Sequence, residues 1–297
     1  MSGMEARRIS LDLKRPCCCY IPSVEYARRG GTRFGHTLDS SSRPLYLELL
    51  QPAAARNVAA GNAEPVPIVI FTAGGAFRTP LVKMRVPWMA RLAELGFLVA
   101  MPEYRGTEYG SFPVMEEDLI SAIRYMRRHG AEYGGDPDKI VLFGGSAGAH
   151  ISLLAAYAPE RFTHPGDDLS VSAAVSGVIA LYGPNDPIFD GAEGNPVAVR
   201  LAGSLDPDEI RRRLESAVVT RSISADRALP PTLLLHGDRD AVVPLAESER
   251  LFGALTEAGQ DAELLIVEGA GHADMRFFEP EANEIYAAFI RRATKTE

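Results

Sequence analysis

The sequence predicts an α/β fold: a doubly wound, mostly parallel sheet flanked by helices, with one insertion late in the chain. Three observations carry the prediction. Short, continuous apolar runs recur after residue 60, as expected of strands covered on both faces. The stretches between them show helical periodicity with helix-end signals. The alternation then breaks at Gly183–Pro230, rich in Asp, Pro and Arg, and resumes afterwards.

The predicted strands are Val66–Thr72, Phe97–Met101, Ile140–Gly144, Ala173–Tyr182, Thr232–His236 and Glu263–Val267. Met115, Leu119, Ile123 and Met126 share one helical face. Glu116, Glu117 and Asp118 open that helix and Arg127, Arg128 and His129 close it, which suits the helix dipole, with Gly130 as the stop. Leu251, Phe252 and Leu255 mark a second helix ended by Gly259, and Ala282, Ile285 and Phe289 a third. Strand–helix alternation of this kind implies parallel strands with helices on both faces. Before residue 60 the pattern differs. Leu45–Leu50 reads as an early antiparallel strand and Gln51–Pro65 as a surface loop. Residues 1–297 therefore read as one domain, with 1–35 as an N-terminal extension. Residues 183–230 read as a lid or cap insertion holding one or two short helices.

Composition narrows the function. Of 297 residues, 46% are hydrophobic and 24% charged, and the formal net charge is −8. An acidic chain without a long basic block gives no electrostatic reason to bind nucleic acid or anionic lipid. Arg211, Arg212 and Arg213 lie among Asp206, Asp208, Glu209 and Glu215, the pattern of a solvated helix face. Where a secretory signal would need an apolar segment stand Arg7, Arg8, Asp12, Lys14 and Arg15. The apolar stretch Val171–Tyr182 is too short to span a bilayer. A cytoplasmic location is expected, with a small molecule as partner; the sequence leaves the oligomeric state open. The three cysteines, Cys17, Cys18 and Cys19, are adjacent, odd in number and poorly spaced for a metal, so they read as reduced thiols in a leading segment. H-E-x-x-H, a Walker loop and a helix-opening G-x-G-x-x-G are all missing, so neither a metal nor a cofactor is expected.

Chemistry concentrates in three places. Gly144-Gly145-Ser146-Ala147-Gly148 follows the apolar strand Ile140–Phe143 and precedes an apolar helix from about Ala147 to Ala158. The bare G-x-S-x-G pattern is common, and a plain Gly-rich turn would satisfy it. Strand and helix on either side make it specific. A turn this sharp strains the serine backbone, so close neighbours must be small, and it lifts the hydroxyl to a helix N-terminus where free N–H groups meet developing negative charge. A serine hydroxyl needs a base. His272, in Glu268-Gly269-Ala270-Gly271-His272 after the last strand, is the best placed of the six histidines, with His236 at a strand end as its competitor. Asp238 and Asp240, both in the loop after Thr232–Leu235, are the acids available to orient the base. The order serine, acid, histidine suits either.

Together, Gly144–Gly148, His236–Pro244 and Gly269–His272 resemble the α/β-hydrolase esterase/lipase family, near the hormone-sensitive-lipase-like and acetyl-esterase groups, over roughly residues 60 to 292. In that family the H-G-x-x-D-x-x-V-P pattern carries the acid at its second acidic position, which falls on Asp240 here. The resemblance thus implies an α/β-hydrolase fold and a triad of Ser146, Asp240 and His272. It also implies an oxyanion hole from the amides of Gly75, Ala76 and Ala147, because Ala73-Gly74-Gly75-Ala76-Phe77 matches the family's H-G-G-x-[WF] segment. Ala73 stands where the family has His. Glu103-Tyr104-Arg105-Gly106 resembles the family's Y-R segment and is read as a loop brace. Phe77, Phe189 and Leu201 are expected to line the substrate pocket.

The expected activity is hydrolysis of small or medium carboxylic esters through an acyl-enzyme. Two rivals stay open: a biosynthetic thioesterase, cyclase or acyltransferase using the same triad, and a hydrolase fold that only binds ligand.

Overall fold

The computed structural model describes residues 17–33, 36–59, 64–188, 191 and 195–296. In chain order the elements are β1 (Cys18–Arg33), β2 (His36–Pro52), α1 (Ala53–Ala59), β3 (Val66–Thr72), α2 (Val86–Glu94), β4 (Leu98–Pro102), α3 (Val114–His129), β5 (Gly135–Gly145), α4 (Ala147–Tyr157), β6 (Gly177–Leu181), α5 (Pro196–Ala202), α6 (Pro207–Leu214), β7 (Thr232–Gly237), α7 (Leu245–Glu257), β8 (Ala262–Val267) and α8 (Pro280–Thr294). They build one eight-stranded sheet in the order β1-β2-β4-β3-β5-β6-β7-β8. The first two strands run antiparallel, β2 pairs antiparallel with β4, and the rest are parallel.

Strand alternation sorts the core onto two faces. Ile68, Ile70, Leu98, Ile140, Leu142, Val178 and Leu234 pack with α3, α4 and α7. Val69, Phe71, Val99, Val141, Phe143, Ile179 and Leu235 pack with α2 and α8. Because both faces are covered, the central strands have no polar side to show, which is why they read as unbroken apolar runs. Met115, Leu119, Ile123 and Met126 of α3 are fully buried, as their spacing predicts; each such side chain contributes about 1.5–3 kcal/mol of transfer free energy.

Several expectations need correction. Of residues 1–35, read as an N-terminal extension, the described part, 17–33, is almost wholly β1, an edge strand of the sheet paired with β2. Its apolar residues are scattered because much of it meets solvent rather than core. The predicted loop Gln51–Pro65 contains α1, whose Ala55 is buried in the core. Gly130 does cap α3, which ends at His129 as expected, but at φ −58°, and the left-handed residue comes only at Gly134, φ +80°, after a 3-10 turn. On α8 the buried face carries Asn283, Tyr286, Phe289 and Ile290, while Ile285 is exposed. Among the described residues no helix is long and apolar enough to cross a membrane.

Candidate active site

Parallel pairing sets the site. Gly145 pairs with Leu181, and Gly237 with Val267. The chain segments leaving β5, β7 and β8 therefore emerge at one edge of the sheet, and they carry Ser146, Asp240 and His272. Open α/β sheets form their ligand crevices at this edge.

Ser146 sits in the turn between β5 and α4 at φ +54° and ψ −125°. Its N–H donates to the Leu181 carbonyl at 2.9 Å, which pins the turn to the next strand. The flanking glycines are obligatory. A Cβ on Gly144 would lie 2.2 Å from the Gly148 oxygen, and one on Gly148 would lie 2.0 Å from the Thr72 oxygen. Of the seven non-glycine residues with positive φ among the described residues, five surround this point: Ala76, Phe77, Ser146, Tyr182 and Ala273. Backbone strain is thus concentrated at one place, as functional sites often require.

The Ser146 hydroxyl donates to His272 Nε2 at 2.9 Å. His272 Nδ1–H donates to Asp240 Oδ2 at 2.7 Å. The other oxygen of Asp240 accepts from the amides of Val242 and Val243 at 2.8 and 2.9 Å. The Asp240 side chain is fully buried. Burial pushes its carboxyl up, but hydrogen bonds from His236, His272 and the two valine amides outweigh burial and hold it well below the usual carboxylate range. Asp240 therefore carries a full negative charge behind His272. Asp238 does something else: it accepts from the Gly269 amide at 2.7 Å and ties the two loops together. Asp274 faces Arg276.

His236, the rival base, is fully buried beneath the site. Its Nε2 bonds the Val243 carbonyl at 2.9 Å and lies 3.3 Å from Asp240, and its Nδ1 bonds the Ser248 hydroxyl at 2.7 Å. Both ring nitrogens are thus used away from Ser146. His150, on α4, donates to the Pro184 carbonyl at 3.0 Å. Burial pushes its imidazole down to about 4, a shift this bond only partly offsets.

The Gly74–Phe77 loop lies against the serine. A Cβ on Gly74 would meet the Gly145 oxygen at 2.4 Å, so only glycine permits this approach. The buried Tyr104 hydroxyl donates to the Ala73 carbonyl at 2.7 Å. Arg105 pairs with Asp118 and donates to the Gly30 carbonyl. Tyr104 thus braces the start of this loop, while Arg105 ties α3 to β1.

Among the described residues, Ser146 faces two cavities. The larger, about 350 Å³, is lined by Gly74, Arg85, Trp88, Tyr182, His272 and Phe278, among others. The smaller, about 160 Å³, is lined by Phe77, Ala147, Pro184, Pro187, Asn195 and Val197, among others. Phe77 is therefore where the sequence placed it. Phe189 lies outside the described residues. Leu201 does not reach either cavity; it lines a separate hollow with Phe112, Phe162 and Arg213. The reason is helical rise. α5 starts at the site with Val197, and four residues later the chain has advanced about 6 Å.

Arg85, Trp88, Tyr182 and Phe278 were not foreseen. They line the larger cavity from the 3-10 turn that leads into α2, from α2 itself, from the residue after β6 and from the segment before α8, far apart in sequence. The one visible signal was the chain's single tryptophan three residues after an arginine, at a helix start.

This sheet, with its strained serine turn and the loops after β7 and β8, is an α/β-hydrolase fold. A truncated carbohydrate esterase from gut microbiota superposes with a TM-score of 0.79 at 22% identity, over 94% of this chain and 98% of that one. Esterase 2 of Thermogutta terrifontis does so with a TM-score of 0.64 at 25% identity, over 85% and 86%.

The chain belongs to the BD-FAE family, whose profile matches residues 57–255. A probable isoprenylcysteine alpha-carbonyl methylesterase of Oryza sativa subsp. japonica is 31% identical over 72% of this chain and 52% of its own length. Esterase LipQ of Mycobacterium tuberculosis (strain ATCC 25618 / H37Rv) is 31% identical over 65% and 46%. The chain spans about half the length of the curated relatives it matches.

Proposed function

We propose that the chain is a serine hydrolase that cleaves small or medium carboxylic esters through an acyl-enzyme. The observation that carries this reading is the unbroken hydrogen-bond chain from Ser146 through His272 to the ionised, buried Asp240. His272 takes the Ser146 proton as Oγ attacks the ester carbonyl, and Asp240 holds the ring with Nε2 toward the serine. The amides of Gly75, Ala76 and Ala147 receive the developing oxyanion. His272 then gives its proton to the leaving alkoxide. Water, deprotonated by His272, attacks the acyl-enzyme and releases the carboxylic acid and the serine.

Relatives named as esterases and methylesterases support the same chemistry, and no step calls for a group beyond those named. The 183–230 insertion acts as a cap over the smaller cavity through Pro184, Pro187, Asn195 and Val197. The protein works in the cytoplasm on a small molecule.

The test is a panel of aryl esters of increasing acyl length with Ser146→Ala as control. The reading predicts turnover of short and medium esters by the native chain and none by the variant. Equal rates from the two would overturn it.

A further inference from the structure

The two cavities at Ser146 are not equivalent. In an ester hydrolase the proton taken from the serine passes to the leaving oxygen, so the leaving group must lie on the side of the general acid. His272 lines the larger cavity and not the smaller. The alcohol portion of the substrate therefore occupies the larger cavity, and the acyl portion the smaller, apolar one.

The larger cavity holds a charge. Arg85 lines it, at the junction between a 3-10 turn and α2. Its guanidinium stacks over the Trp88 ring at 4.2 Å, and Trp88 in turn lies 4.7 Å from the Phe278 ring. The stack fixes the cation in place. No ion pair of Arg85 occurs among the described residues, although nearly every neighbouring arginine has one: Arg78 with Glu108, Arg91 with Glu94, Arg105 with Asp118. The one acid of the site, Asp240, is fully buried behind His272 and saturated with donors. In a chain of net charge −8, this cavity thus presents a fixed cation and aromatic walls, with no carboxylate beside the cation. The N-terminus of α2, with no side-chain cap, adds partial positive charge at the same point.

We propose that the larger cavity is a subsite for an anionic leaving group: an aromatic or apolar alcohol carrying a carboxylate, which Arg85 binds while Ser146 attacks the ester. This rests on the hydrolase reading above. A planar, stacked guanidinium is pre-organised for bidentate carboxylate binding, and Phe71, Tyr182 and Phe278 give the same cavity apolar walls for the rest of the alcohol. No further covalent step is involved.

The experiment compares para-acetoxybenzoate with its neutral near-isostere para-acetoxybenzamide, using the full chain. The acyl group is the same in both, and the charge sits on the alcohol. The native protein should favour the carboxylate ester in kcat/KM by about tenfold or more, the scale of a charge-assisted bidentate contact. Arg85→Met should bring that ratio to near unity, Arg85→Lys should keep part of it, and added salt should compress it. A native ratio near unity, or a ratio unchanged in Arg85→Met, overturns the subsite while the hydrolase reading stands. Monomethyl terephthalate carries its carboxylate on the acyl side. An Arg85-dependent preference for that ester instead overturns the assignment of the cavity to the leaving group. If no ester turns over and Ser146 takes up no organophosphonate, the hydrolase reading falls and the subsite with it.

Discussion

The strand-end loops that carry Ser146, Asp240 and His272 are held very differently from the insertion between β6 and β7. The loops are laced to the sheet and to each other. Ser146 N–H is bonded to Leu181, Arg239 N–H to the Ala270 carbonyl, and the Gly269 amide to Asp238. A side chain on Gly237 would strike the Ala270 oxygen at 2.1 Å. The insertion is held instead by the helices and loops around it: the Phe112 amide donates to the Leu201 carbonyl at 2.8 Å, and Leu201, Ile210 and Leu214 are buried in the core. The amides of Asn185 and Asp186 donate to the buried Glu247, and the Thr220 amide donates to the Asn185 side chain. Between those points α5 and α6 supply their own caps, Asn195 and Asp206. The contrast separates two tasks. Chemistry needs positions fixed to a fraction of an ångström. On the proposed reading, selectivity falls to the part of the insertion that lines the smaller cavity, Pro184, Pro187, Asn195 and Val197.

If that division holds, the largest effects belong to the laced loops. Ser146→Ala and His272→Ala should each lower kcat by about 10⁴-fold or more, and about equally, because such groups act as a unit. His236→Ala should cost much less, since both its nitrogens are engaged below the site. Steady-state kinetics decide it, and a reversed order of the two histidines would show the base to be misassigned.

The next effect separates two aspartates two residues apart. Asp240→Asn removes the charge behind His272 and should cost about 10⁴-fold in kcat, as expected when the wrong tautomer is favoured. Asp238→Asn keeps an acceptor for the Gly269 amide and should cost less than about tenfold. Equal losses would leave neither as the orienting acid.

Inside the insertion, Val197 and Leu201 sharpen the comparison. Val197→Ala enlarges the smaller cavity and should shift kcat/KM toward longer acyl chains by several fold with little change in Tm. Leu201 is almost fully buried. Leu201→Ala should lower Tm by several degrees, from a cost of about 2–5 kcal/mol, and leave the acyl ranking unchanged. The opposite pairing would mean that α5 is packed at the serine rather than away from it.

The smallest effect lies outside both regions. Glu116, in the first turn of α3, is fully buried, its carboxyl oxygens have no hydrogen-bond partner among the described residues, and burial pushes it up to about 8. A raised folded-state value means that the unfolded chain ionises first. The stability this group permits is complete at low pH and is lost as pH rises toward 8. Glu116→Gln removes that loss, so its Tm relative to the native chain should become more positive from pH 5 to pH 8. A constant difference would show that Glu116 has a partner.

Much of this was legible in the sequence. The central parallel strands were visible because burial on both faces leaves a continuous apolar run, whereas β8, at the sheet edge, is apolar without being buried. The serine turn was visible because sterics allow little but glycine around it. The contest between Asp238 and Asp240 needed family resemblance to favour one, since both acids follow the same strand and only the loop's path separates them. β1 was hidden because an edge strand shares its pattern with loops. Arg85, Trp88 and Phe278 were hidden because a cavity assembled from distant segments has no local spacing. Leu201 misled because apolar character marks burial without saying against what.

Everything proposed for the site turns on Ser146 as the nucleophile, activated by its position in the fold. An organophosphonate probe followed by intact-mass measurement and peptide mapping tests it most directly. One adduct is expected, on Ser146, with loss of activity in proportion to labelling and much slower labelling in His272→Ala. No adduct, or an adduct on another residue that abolishes activity, would contradict it.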